Sequence, residues 1–263
     1  MGAVTGPLTF PSGGRPLPCA AAMGVLLAAL AGLGVVLGGS LLGVRRRWSS
    51  LALRWFVAVG AGFLLAVAFL RMLPESLALR PDRALELALA GYFLTHLFEH
   101  ALVPHFHFGE ETHVEIVHGR SSLAAVLGLG IHSFFDGVSI AAGYHVAPLL
   151  GWLVFLAIML HKLPEGFTVA SIIRAAGGSG GHALIATTVV GLACVAGAGL
   201  LAGRPAWAGD GLAVATGVTI YVAASDLVPE VNKEVGHHLA FMVLAGAAGY
   251  LALAWLLARV GLG

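Results

Sequence analysis

Charge is what this chain has least of. Asp, Glu, Lys and Arg make up only 10% of its 263 residues, against 59% hydrophobic residues and a mean hydropathy of +0.93. A water-soluble fold of this length needs far more charge to stay dispersed, so that class is excluded and an integral membrane protein is implied. The formal net charge is +1, and the basic residues are scattered apart from Arg45, Arg46 and Arg47, which leaves no footprint for nucleic acid. Cysteine is nearly absent. Cys19 and Cys194 stand far apart, in or beside apolar runs, and read better as buried free thiols than as a disulfide. The first eighteen residues are rich in Pro and Gly with a single basic residue, Arg15. They lack the basic and short apolar regions of a cleaved signal, so the first apolar run is expected to stay in the protein.

What is abundant is apolar sequence in runs long enough to cross a bilayer, which takes about 20 residues in a helix. Eight are read at 22 to 43, 51 to 73, 84 to 103, 122 to 146, 150 to 175, 183 to 203, 211 to 230 and 238 to 260, after a tail at 1 to 21. Residues 22 to 263 thus form one all-α integral membrane domain with short connections. Lipid offers the backbone no hydrogen bonds, and no segment alternates as a barrel strand does, so the spans must be helices. The 37 glycines then serve close helix packing, and no single one carries a functional reading.

Two of the runs repeat each other. HSFFDGVSIAAG at 132 to 143 and HKLPEGFTVASI at 161 to 172 each open with a histidine, place a carboxylate four residues later, and continue with glycine. In a helix, positions i and i+4 lie on one face, so each copy presents an imidazole and a carboxylate side by side. Insertion of an Asp or a Lys at the bilayer centre costs about 2.5 to 3.5 kcal/mol, so Asp136, Lys162 and Glu165 each need a reason to be there. Mutual pairing as helix-to-helix glue is one. Two copies of the same pair at matching depth point instead to His132, Asp136, His161 and Glu165 as four ligands of a divalent metal ion. Nitrogen and oxygen donors of this kind suit zinc, with iron, manganese, cobalt or cadmium tolerated. Pro164 frees the carbonyl of Leu160 beside His161 and offers a further oxygen donor.

A second repetition is fainter: the second span ends in RMLPES and the seventh in SDLVPEV. Related outer helices around a related central pair suggest a 3+2+3 arrangement with inverted repeats, a transporter habit. The third span ends in HLFEH, with His96, Glu99 and His100, matching the inverted zinc-protease motif; proteolysis would need a soluble catalytic domain that this sequence lacks. The following loop alternates imidazoles and carboxylates at His105, His107, Glu110, Glu111, His113, Glu115 and His118, a composition suited to weak, exchangeable metal binding.

These motifs resemble those of the ZIP (Zrt/Irt-like) family of divalent metal transporters, whose fourth span carries HNxx[DE]G or HSxx[DE]G and whose fifth carries HExPHE or a variant such as xDxPEG. The likeness spans the whole chain, including a His-bearing loop after the third span and a variant of ExxPE at Asp226 to Glu230. It implies a 3+2+3 bundle in the cell membrane, termini outside, a homodimer, and alternating access that moves zinc or another divalent metal towards the cytoplasm. No GxxxxGK[ST] loop is present to support ATP-driven pumping. Carried over residue by residue, the resemblance puts His132, Asp136, His161 and Glu165 on the primary metal site. A second, adjacent metal in some members uses the residue after each histidine and a carboxylate on the sixth span. Here those positions are Ser133 and Lys162, and 183 to 203 holds no acidic residue, so the second site is expected to be lost. Lys162 is expected to take the place of that metal, keeping the carboxylates ionised while weakening metal affinity.

With that topology the Arg45 to Arg47 cluster falls inside, as the positive-inside rule prefers, although Arg71, Arg80 and Arg83 fall outside. His96, Glu99, His100, His105, His107, His113, His118, His182, His237 and His238 gather at the cytoplasmic face as an exit or sensing surface, joined by Asp226 and Glu230. Met72 and Glu75 lie at the outer, uptake mouth. Two rivals stay open from residues alone: a membrane-embedded metal-dependent hydrolase, in which the same ligands activate water, and a metal sensor that does not transport.

Overall fold

The computed structural model describes residues 18–44, 50–102, 119–232 and 237–259. The described residues are helical, with no strand. Helix α1 runs over Pro18–Val44, α2 over Ser50–Val67, α3 over Leu73–Leu79, α4 over Ala84–Leu102, α5 over Gly119–Val146 and α6 over Pro148–Ala175. Then follow α7 over Gly180–Ala202, α8 over Ala208–Tyr221, α9 over Val228–Asn232 and α10 over His237–Arg259. Seven stretches are long and apolar enough to cross a membrane, which makes this a multi-pass integral membrane protein.

The apolar runs map onto these helices with shifted ends. The first helix begins at Pro18, inside the expected tail. The second span continues through Leu79, and the seventh starts at Pro205, in a short 3₁₀ turn over Pro205–Trp207. The expected third span forms a helix, but its apolar described part, Ala84–Phe98, is shorter than the other seven.

Two helix breaks share one cause. Between α2 and α3 the chain widens into a π turn over Ala68–Met72, and between α8 and α9 into another over Val222–Leu227. Pro74 and Pro229 stand two residues beyond the ends of these turns. A proline has no N–H for the carbonyl four residues back, and a wider turn absorbs the misfit without breaking the span.

Glycine sets the helix crossings. A Cβ on Gly137 of α5 would lie 1.8 Å from the carbonyl oxygen of Cys194 on α7, and one on Gly197 would lie 1.9 Å from that of Phe134. Helices α1 and α6 cross the same way, Gly38 against the Leu163 carbonyl at 2.1 Å and Gly166 against that of Val35 at 1.9 Å. Only residues without a side chain allow backbones this close, and in lipid such contact replaces the hydrophobic drive between helices. The pattern recurs where Gly62 and Gly246 join α2 to α10, and where Gly91 and Gly217 join α4 to α8.

The α5–α6 hairpin has the tightest connection. Ala147 alone is extended between the helices, and Pro148 opens α6 where its missing N–H costs nothing. Because His132 lies fourteen residues before Val146 and His161 thirteen after Pro148, both imidazoles sit about 20 Å from the turn, at the same depth.

At one end of the bundle Asp210 ties α8 to the α3–α4 turn. Its carboxylate accepts from Arg80 Nε at 2.7 Å and from Arg83 Nη2 at 2.8 Å. All three groups are partly exposed, so Asp210→Ala should lower stability by only about 1 kcal/mol, seen as a reduced midpoint of thermal unfolding in detergent, with metal binding unchanged.

Candidate metal centre

The four predicted ligand residues come together. His132, Asp136, His161 and Glu165 are all buried, and one donor atom from each lies within 4.8 Å of the others. Helical spacing supplies the two pairs, and the α5–α6 hairpin brings the pairs face to face. Asp136 is the hub: its Oδ2 lies 3.2 Å from His132 Nε2, 3.5 Å from His161 Nε2 and 2.7 Å from Lys162 Nζ. The two imidazole centroids are 5.6 Å apart. His161 turns Nδ1 towards the Ala157 carbonyl at 3.4 Å, which leaves Nε2 facing the carboxylate. That backbone contact sets ring orientation as partners behind metal-binding histidines do.

Lys162 is part of the same cluster. It has no solvent exposure, and its ammonium contacts Asp136 Oδ2, Glu165 Oε2 at 2.5 Å and Ser133 Oγ at 3.0 Å. Glu165 Oε1 is buried with no hydrogen-bond partner among the described residues. A buried acceptor left unsatisfied is costly, so an oxygen held ready in this way fits a cation that it would bind.

The reading from sequence missed one neighbour. Cys194, a buried free thiol, has its carbonyl against Gly137, the residue after Asp136. Looking only for a carboxylate on the sixth span passes over it. The side chain of Cys19 lies outside the described residues.

Among the described residues, the other predicted positions do not join this group. Met72 is fully buried as the last residue of the first π turn, and Glu75 ion-pairs with Arg71 at 3.6 Å. Asp226 is buried in the second π turn. His96 is exposed and meets the edge of Tyr221, while His237 and His238 are exposed at the start of α10. His182 is occupied in capping α7: its N–H donates to Ser179 Oγ, and its Nδ1 accepts from the Ser179 N–H. The loop residues His105, His107, Glu110, Glu111, His113, Glu115 and His118 lie outside the described residues, as do the side chains of Glu99, His100 and Glu230.

Fold and site together define a class: a multi-pass helical membrane protein whose buried histidines and carboxylates form a group able to hold a metal ion. Within that class the chain belongs to the ZIP zinc transporter family, whose profile matches residues 107–254. Among curated proteins it is similar to zinc transporter zipt-7.1 of Caenorhabditis briggsae, at 27% identity over 41% of this chain and 29% of that protein. It is also similar to metal cation symporter ZIP14 of Mus musculus, at 32% identity over 44% of this chain and 24% of the relative, and of Xenopus tropicalis, at 31% over 44% and 25%. The matched segment therefore spans only about a quarter of those relatives' lengths.

Proposed function

We propose that this chain carries a divalent transition metal, zinc foremost, across a membrane by alternating access, binding it at His132, Asp136, His161 and Glu165. The observation that carries this reading is the convergence of two imidazoles and two carboxylates from two similar helices onto one buried point. Two neutral imidazoles and two carboxylates neutralise one divalent cation. The relatives named for zinc and metal cation transport support the substrate class.

The glycine crossings support a 3+2+3 bundle of eight spans with related halves. The α1–α6 crossing matches α7–α5, since Val35 and Gly38 correspond to Cys194 and Gly197, and Leu163 and Gly166 to Phe134 and Gly137. The α2–α10 crossing likewise matches α8–α4, and the register that pairs Gly62 with Gly217 also pairs Pro74 with Pro229. In the same register Lys162 matches Ser133, and these two touch, as Gly32 and Gly191 do. Matching positions meet only near the axis relating the halves, so the site lies where repeat-built carriers bind their cargo. With an ammonium on one matching position and a hydroxyl on the other, the centre takes one metal. In this reading Met72 and Glu75 line the outer mouth, the His-rich face with Asp226 and Glu230 receives the released ion in the cytoplasm, and two copies form a homodimer.

Zinc uptake into proteoliposomes tests the reading by comparing the parent with His132→Ala and Glu165→Ala. Uptake should be saturable in the parent, with one zinc bound per chain, and lost in both variants. Equal flux in all three removes the transport claim.

A further inference from the structure

Resting on that reading, we propose that Lys162 is the carrier's own counter-cation, which takes over the metal's carboxylates when the ion leaves and so allows the empty site to cross back. Its Nζ lies 2.7 Å from Asp136 Oδ2 and 2.5 Å from Glu165 Oε2, the two carboxylates that would hold the metal. A metal ion and the ammonium therefore compete for the same oxygens. Both cannot stay: a divalent ion at ligand distance from Asp136 would sit against a full like charge in a setting with little water to screen it. The lysine stem is long and its head is a compact point charge with rotatable donors, which suits it to leaving and returning.

The consequence concerns the return step. With neutral imidazoles, the empty cluster carries −2 without Lys162 and −1 with it. Two uncompensated carboxylates are poorly tolerated in a buried, low-dielectric site, so a carrier lacking the ammonium would stall empty or wait for another cation. Loaded, the same carrier has its carboxylates neutralised by the metal and needs no lysine. Lys162 thus weakens binding but speeds the empty half of the cycle, and its two effects separate in experiment.

The test uses the full chain in proteoliposomes and zinc alone. Two fluxes are measured: net uptake into metal-free vesicles, which requires return of the empty carrier, and exchange of labelled for unlabelled zinc, which does not. Lys162→Met should bind zinc about tenfold tighter or more, the least change expected when a like charge is removed at contact distance. Net uptake should fall by about tenfold or more relative to exchange measured on the same variant. Lys162→Gln serves in its place if the methionine variant fails to fold, with the same expectation. Net uptake and exchange falling in proportion, or an unchanged ratio with unchanged affinity, overturns the proposal while leaving the transport reading intact. A parent chain that neither binds nor moves zinc overturns both.

Discussion

Changing Asp136 to asparagine should abolish zinc uptake while leaving the helices packed. The replacement is nearly isosteric, so it removes charge and leaves volume. Asp136 Oδ2 lies within 3.5 Å of His132, His161 and Lys162, so losing its charge loosens three partners at once. Partners behind the ligands of a metal typically cost 10- to 100-fold in affinity when removed. A group that is both ligand and hub should cost at least about 100-fold. Lys162 keeps Glu165 and Ser133, which holds α6 against α5 in the variant. Calorimetric zinc titration and uptake on the same preparation check this: binding and flux should vanish while the unfolding midpoint moves little. Undiminished uptake would remove Asp136 from the site.

The second large effect is structural. Gly137→Leu should destabilise the protein by about 3 kcal/mol or more, because even the first carbon of the new side chain would stand 1.8 Å from the Cys194 carbonyl oxygen. Backbone cannot yield as a side chain can, so α7 must move away from α5, next to Asp136. Gly199→Ala is the matched control. Nothing lies within 4 Å of a Cβ there, and the higher helix propensity of alanine should add up to about 1 kcal/mol. Thermal unfolding in detergent should separate the two variants in opposite directions. Equal stability would mean that the α5–α7 crossing does not depend on backbone contact.

Much of the site was legible because helical spacing is a local property. A histidine and a carboxylate four residues apart share a face wherever the helix goes, and two copies at equal distance from a tight turn arrive at equal depth. The expected loss of a second metal rested instead on the family resemblance, which puts that metal's ligands at Ser133, at Lys162 and on the sixth span, where no acidic residue stands. His182 was different. Grouped with the cytoplasmic histidines by position, it also caps α7 with Ser179, a role that the count by position did not anticipate.

Composition, period and the paired motifs by themselves determined an all-helical membrane protein and four inward candidate ligands, because burial in lipid leaves the backbone no alternative to helices and helices no alternative to their repeat. Only the tertiary structure decided which glycines are irreplaceable, where the π turns fall, and that the Lys162 ammonium rests on Asp136 as well as on Glu165. Those depend on how far apart two helices cross and in what register. That distance is set jointly by residues far apart in the chain, and no single stretch of sequence carries it.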